Sequence, residues 1–131
     1  MRIELTLVGL TLLLALAQIM IAGNLRARQY GSKWNMGARD EEMPPLDPLP
    51  RRMLRAQANL FETLPLFIGA VLAAAIVGRL GVKTEIGAWL YFLGRLVYVP
   101  LYAAGVPVIR TIVWAVATLG LVLVIAGLLI G

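Results

Sequence analysis

The chain has 131 residues, 60% of them hydrophobic, with a net charge of +5 and a mean hydropathy of +0.85. Soluble domains are about 45–50% apolar, so this composition belongs in a membrane and leaves no length for a separate soluble module. The absence of both Cys and His excludes disulfides, thiol nucleophiles, Cys/His metal sites and imidazole acid–base chemistry. The basic excess fits anionic lipid headgroups or an anionic ligand better than nucleic acid, because no basic patch interleaved with aromatics accompanies it.

The first predicted span covers residues 3–25, uncharged between Glu4 and Arg26. Arg2 ahead of an apolar run and Ala15-Leu16-Ala17 imitate a signal peptide. Glu4 in the leading segment and the apolar run through Ile19-Met20-Ile21-Ala22 favour an uncleaved membrane helix, since a span needs about 20 such residues. Residues 26–50 form a polar loop with Arg26, Arg28, Lys33 and Arg39, then Asp40-Glu41-Glu42, then Pro44, Pro45, Pro48 and Pro50. Prolines at that density predict a stiff, extended or turned segment at the membrane surface.

The second span is predicted over residues 51–77, beginning after Pro50. Pro65 inside it deprives the Phe61 carbonyl of its usual donor and predicts a kink. Residues 78–84 turn the chain into a third span, 85–104, and Gly105-Val106-Pro107 reverses it into a fourth, 107–130. Small residues at Gly69/Ala73, Ala70/Ala74 and Gly127/Gly131 have the spacing of close helix contacts. The bias of Arg26, Arg28, Lys33, Arg39, Arg51, Arg52 and Arg55 to one side places the first and third loops in the cytoplasm and both termini outside.

Three polar groups stand within these spans. Arg55, Asn59 and Glu62, at i, i+4 and i+7, share a stripe on the second helix, extended toward the loop by Arg51 and Arg52. Gln57 points roughly opposite to Arg55. On the third helix, Tyr91, Arg95, Tyr98 and Tyr102 fall on one face to within about 40°. Arg110 opens the fourth.

Ionisable residues at the edge of hydrocarbon are costly and usually face a partner, water or a ligand. An Arg at mid-helix is disfavoured by about 2.5–3.5 kcal/mol, and a Glu62–Arg95 pair is expected to offset much of that as structural glue. The remaining cations, Arg51, Arg52, Arg55 and Arg110 with Tyr98 and Tyr102 between them, suit a ligand with several carboxylates. Each Tyr also has a plain reading as an interfacial belt residue.

The run Arg55-Ala56-Gln57-Ala58-Asn59, then Glu62, Pro65 and Phe67, together with Gly94-Arg95, Tyr98 and Tyr102, resembles the MAPEG family. These are the membrane-associated proteins of eicosanoid and glutathione metabolism. The resemblance covers nearly the whole chain and implies an all-α left-handed four-helix bundle assembled as a homotrimer. It also implies glutathione as co-substrate, without a metal, bound between subunits near the cytoplasmic face.

Carried over residue by residue, Arg55, Asn59 and Glu62 match positions that hold the carboxylates and amine of glutathione, with Gln57 close by. Arg95, Tyr98 and Tyr102 match the helix-three part of that site, and Arg28 (with Arg26 the second choice) matches the basic residue ending helix one. Arg110 matches the arginine that stabilises the thiolate, since a nearby guanidinium lowers a thiol's pKa. The expected function is a glutathione transferase, with peroxidase activity a variant of it, acting on a lipophilic electrophile that arrives from the lipid. The long acidic, proline-rich first loop and the short third turn look like a bacterial branch, which implies the bacterial inner membrane; detoxification is the role that the family resemblance implies.

Where members that make eicosanoids often carry an aromatic after the motif glutamate, this chain has Thr63. Two other readings stand beside the enzyme. One is a non-catalytic binding or regulatory protein of the same fold, holding an anionic ligand or lipid headgroup. The other is a small transporter subunit, weakened by polar residues that crowd one side of the membrane.

Overall fold

The computed structural model describes residues 2–131, and no strand occurs among them. Four helices are long and apolar enough to cross a bilayer: α1 (Ile3–Tyr30), α3 (Pro48–Ile76), α4 (Val82–Ala103) and α5 (Val108–Ile130), with the short α2 (Ser32–Met36) after the first.

The expected polar loop is more ordered than its charges suggest. Its prolines start only at Pro44, so α1 continues past Leu25 to Tyr30 and stops at Gly31. Gly31 has φ +94°, a region favouring glycine, and its amide donates to the Ala27 carbonyl at 2.7 Å. Gln29 and Tyr30 then clamp the proline segment. The Gln29 side chain donates to the Pro45 carbonyl at 3.2 Å and accepts from the Asp47 amide at 2.8 Å, while the Tyr30 hydroxyl donates to the Pro44 carbonyl. α3 starts at Pro48, earlier than expected, because a proline in the first helical position gives up a donor that has no partner there anyway. It runs unbroken through Pro65.

Cross-helix contacts fix the topology. The buried Glu4 near the start of α1 accepts from the Thr84 hydroxyl, near the start of α4, at 2.7 Å, so α1 and α4 run parallel. α3 runs against α4 in the register set by Thr63 with Tyr91 and Asn59 with Arg95. α5 returns antiparallel to α4, and Arg79, in the α3–α4 turn, donates to its Leu128 and Leu129 carbonyls at 2.8 and 3.0 Å. Those are carbonyls that a helix C-terminus leaves open.

Leu7, Leu60, Phe67, Val71, Tyr91 and Val124 form the heart of the bundle, with Phe67 and Tyr91 stacked at 4.2 Å. Leu13, Leu16, Met20, Leu119 and Val122 are exposed, as befits a lipid-facing surface.

The α4–α5 contact runs backbone against backbone. A methyl at Gly87 would lie 2.5 Å from the Gly120 carbonyl oxygen, and one at Gly120 equally close to the Gly87 oxygen. Gly94 meets Ala117, and Gly127 meets Thr84. This seam repeats every seven residues, whereas the expected spacing was four. Of the residues singled out in sequence, Ala70, Ala74 and Gly127 pack inside, while Gly69 and Gly131 have open space around them.

Candidate functional site

The polar side chains gather where α3 begins, α4 ends and α5 begins, on the side of the α1–α3 connection. Asn59 sits on the half-buried edge of α3, next in sequence to the core residue Leu60, and its position opposite Arg95 follows from the α3–α4 register. Arg95 is 2% exposed and donates through Nη1 to Asn59 Oδ1 at 2.8 Å. Its guanidinium lies 4.5 Å from the centroid of the Tyr98 ring.

Tyr98 meets Tyr102 edge to face at 5.5 Å, and the Arg110 guanidinium lies over Tyr102 at 4.6 Å. Asn59, Arg95, Tyr98, Tyr102 and Arg110 therefore form one unbroken chain across three helices. A cation at each end of a pair of rings is a favourable arrangement, because the negative face of an aromatic attracts a guanidinium.

The expected Glu62–Arg95 pair does not form. Among the described residues the only ion pair joins Arg2 and Glu4, and Arg95 takes the neutral amide of Asn59 in place of the carboxylate. Glu62 is one turn too far along α3 and turns outward, as Arg55 does. Both are exposed on the surface of the single chain, and neither makes a side-chain hydrogen bond among the described residues. Arg52 also departs from the expected pocket: it donates to the Ala103 carbonyl at 3.4 Å and lies against Gly105, tying α3 to the end of α4. Arg51 is exposed.

Gln57 is half-buried. Arg28 is exposed at the end of α1, and Arg26 is held over the Trp34 ring. Tyr91, placed in sequence on the face of Arg95, belongs to the core. It is 1% exposed, stacks on Phe67 and shares a 2.8 Å hydrogen bond with the Thr63 hydroxyl. Thr63, where an aromatic was the alternative, thus serves as the partner that a buried phenol needs.

Two polar side chains buried on α1, each with an unpartnered atom, escaped the sequence reading. Gln18 lies in the middle of α1, 2% exposed, with neither end of its amide bonded to protein. Glu4 is wholly buried against Thr84, with its Oε1 likewise unpartnered. A lone amide inside an apolar span was the available signal for Gln18.

A family model described as the MAPEG family matches residues 7–130, nearly the whole chain. The chain belongs to the MAPEG family. No curated protein and no solved structure matches it. As a MAPEG protein it is a multi-pass integral membrane protein of the glutathione and eicosanoid metabolism kind, and its four spanning helices agree with that bundle.

Proposed function

We propose that this MAPEG protein is a glutathione-dependent membrane transferase whose site lies between subunits of a homotrimer. The observation that carries the reading is the outward display of Arg55 and Glu62 beside the Asn59–Arg95–Tyr98–Tyr102–Arg110 chain. A cation and an acid at the edge of hydrocarbon are too costly to leave against lipid, so a neighbouring subunit and a polar ligand are their natural cover. Glutathione has the matching groups: two carboxylates for Arg55 and the other cations, an ammonium for Glu62, and a thiol to lie near Arg110. Arg28, exposed at the end of α1, and Gln57 complete the site from the adjoining surface of a trimer.

In this reading Arg110 favours the ionised thiol, which is the nucleophile. The thiolate sulfur forms a bond to an electrophilic carbon of a lipophilic substrate, and the leaving group departs with the bonding pair. No cysteine of the chain takes part. The basic bias of the α1–α3 connection orients the site toward the cytoplasm, in a bacterial inner membrane.

The deciding experiment is a titration of the detergent-purified protein with glutathione, followed by thiolate absorbance and by conjugation to an aryl halide. Wild type should develop the absorbance and turn over, and Arg110→Ala should lose both. Full turnover by Arg110→Ala would remove the arginine from the mechanism. Binding without turnover in wild type would favour a binding protein of the same fold.

A further inference from the structure

On the same side of the bundle, but outside the polar chain just described, α2 folds back against the end of α1. A pocket of about 470 Å³ opens there, lined by Tyr30, Lys33, Trp34, Arg39, Asp40 and Glu41 among others. Trp34 is its fixed point. Tyr30 meets it edge-on at 4.8 Å, and the guanidinia of Arg26 and Arg39 lie over its ring at 5.6 and 5.0 Å. Arg39 is held in turn by three hydrogen bonds to the backbone and side-chain oxygens of Asn35. The indole Nε1 of Trp34 is a buried donor without an acceptor among the described residues. A buried donor left unpaired is costly, so this indole lacks an acceptor that it requires.

Depth limits what that acceptor can be. The apolar run of α1 ends at Leu25, and Tyr30 lies about 7 Å further along the helix axis, which is the thickness of the headgroup layer beyond the hydrocarbon. A second groove of about 470 Å³ lies between Asn35 and α1, and reaches down α1 to the apolar Ile19, Met20 and Ile21. A polar pocket at headgroup depth with an apolar groove beside it matches the two ends of a phospholipid.

Charge selects the headgroup. Lys33 and Arg39 are balanced by Asp40 and Glu41, and no ion pair joins them among the described residues. A net anionic lipid would meet the two carboxylates, whereas a zwitterion places phosphate toward the cations and the indole donor, and its amine toward the acids. Both arginines already lie over the Trp34 ring, so the amine must be met by hydrogen bonds to carboxylates. A primary ammonium supplies three such donors, and a trimethylammonium none.

We infer that α2 and the end of α1 form a binding site for a phosphoethanolamine-headed phospholipid, with phosphate on Lys33, Arg39 and Trp34, amine on Asp40 and Glu41, and an acyl chain along Ile19–Ile21. This site is independent of the glutathione reading.

The test is native mass spectrometry of the full chain released from detergent, after incubation with equal amounts of phosphatidylethanolamine, phosphatidylcholine and phosphatidylglycerol of identical acyl chains. Phosphatidylethanolamine adducts should exceed both others by about fivefold or more, as expected when charge-assisted hydrogen bonds discriminate. The Asp40→Asn/Glu41→Gln variant should lower phosphatidylethanolamine to the phosphatidylcholine level, and Trp34→Phe should weaken both alike by removing the indole donor. Equal retention of the three lipids, a lead for phosphatidylglycerol, or an unchanged preference in the acid variant would overturn the assignment. These substitutions are at the surface connection, away from the helical core.

Discussion

Arg95 on α4 and Asn59 on α3 hold each other at 2.8 Å, so the buried guanidinium has a neutral acceptor where a carboxylate was expected. A bond of this kind fixes a cation's direction without cancelling its charge. Arg95 thus keeps a full positive charge behind the tyrosines, where it strengthens the attraction of the whole cluster for an anion. Asn59→Leu removes the acceptor and leaves the charge buried, which should cost about 1.5–3 kcal/mol of stability. Thermal unfolding in detergent should show that loss without any ligand. The Asn59→Leu/Arg95→Met double variant should recover part of it, since removing both partners of a buried polar pair costs less than removing one.

Glu62 should behave in the opposite way. It is exposed and makes no side-chain hydrogen bond or ion pair among the described residues, so Glu62→Gln should move stability by no more than about 0.5 kcal/mol. If the carboxylate holds the ammonium of glutathione, the same change should weaken glutathione binding by roughly tenfold, the worth of one charged hydrogen bond. Calorimetric titration beside a thermal scan separates the two effects. A large loss of stability with unchanged affinity would return Glu62 to a structural role.

How much of this was readable from sequence depended on whether one helix or two had to be known. The four spans follow from long, predominantly apolar runs, and the stripe of Arg55, Asn59 and Glu62 follows from helical period alone. Whether Asn59 or Glu62 faces Arg95 depends on the register of α3 against α4, which no single helix encodes. Thr63 opposite Tyr91 sets that register and leaves Glu62 outside. Tyr91 shows the same limit, because a shared face with Arg95 says nothing of its stacking partner Phe67. α2 is too short to show a period, and the prolines after it drew its residues into a loop. The α4–α5 seam was visible as Gly87/Gly94 and Gly120/Gly127, but at a spacing of seven residues.

That seam gives a paired prediction. Gly120→Ala places a methyl 2.5 Å from the Gly87 carbonyl oxygen and 2.7 Å from the Tyr91 amide nitrogen, both backbone atoms that cannot step aside. The helices must separate, which should destabilise by about 1–3 kcal/mol. Gly69→Ala has nothing within 4 Å of the new methyl and should instead stabilise by about 0.5–1 kcal/mol through helix propensity. Unfolding of the two variants in one detergent should shift in opposite directions.

The pairing of Arg110 with Tyr102 separates ring from hydroxyl. The guanidinium lies 4.6 Å from the ring centroid, near the start of α5, where a long side chain would otherwise have many directions open to it. If the ring aims Arg110 at the thiol, Tyr102→Phe preserves that aim and should retain most of the thiolate signal and turnover. Tyr102→Ala removes the platform, worth about 0.5–2 kcal/mol, and should lower the apparent thiolate fraction and kcat by a few-fold to tenfold or more. Titrating thiolate absorbance against pH gives a readout that altered substrate affinity does not reproduce: the bound thiol should ionise at higher pH in Tyr102→Ala than in Tyr102→Phe. Equal ionisation in both would mean that Arg110 is aimed by something other than the ring. A loss confined to Tyr102→Phe would make the hydroxyl the group that touches the ligand.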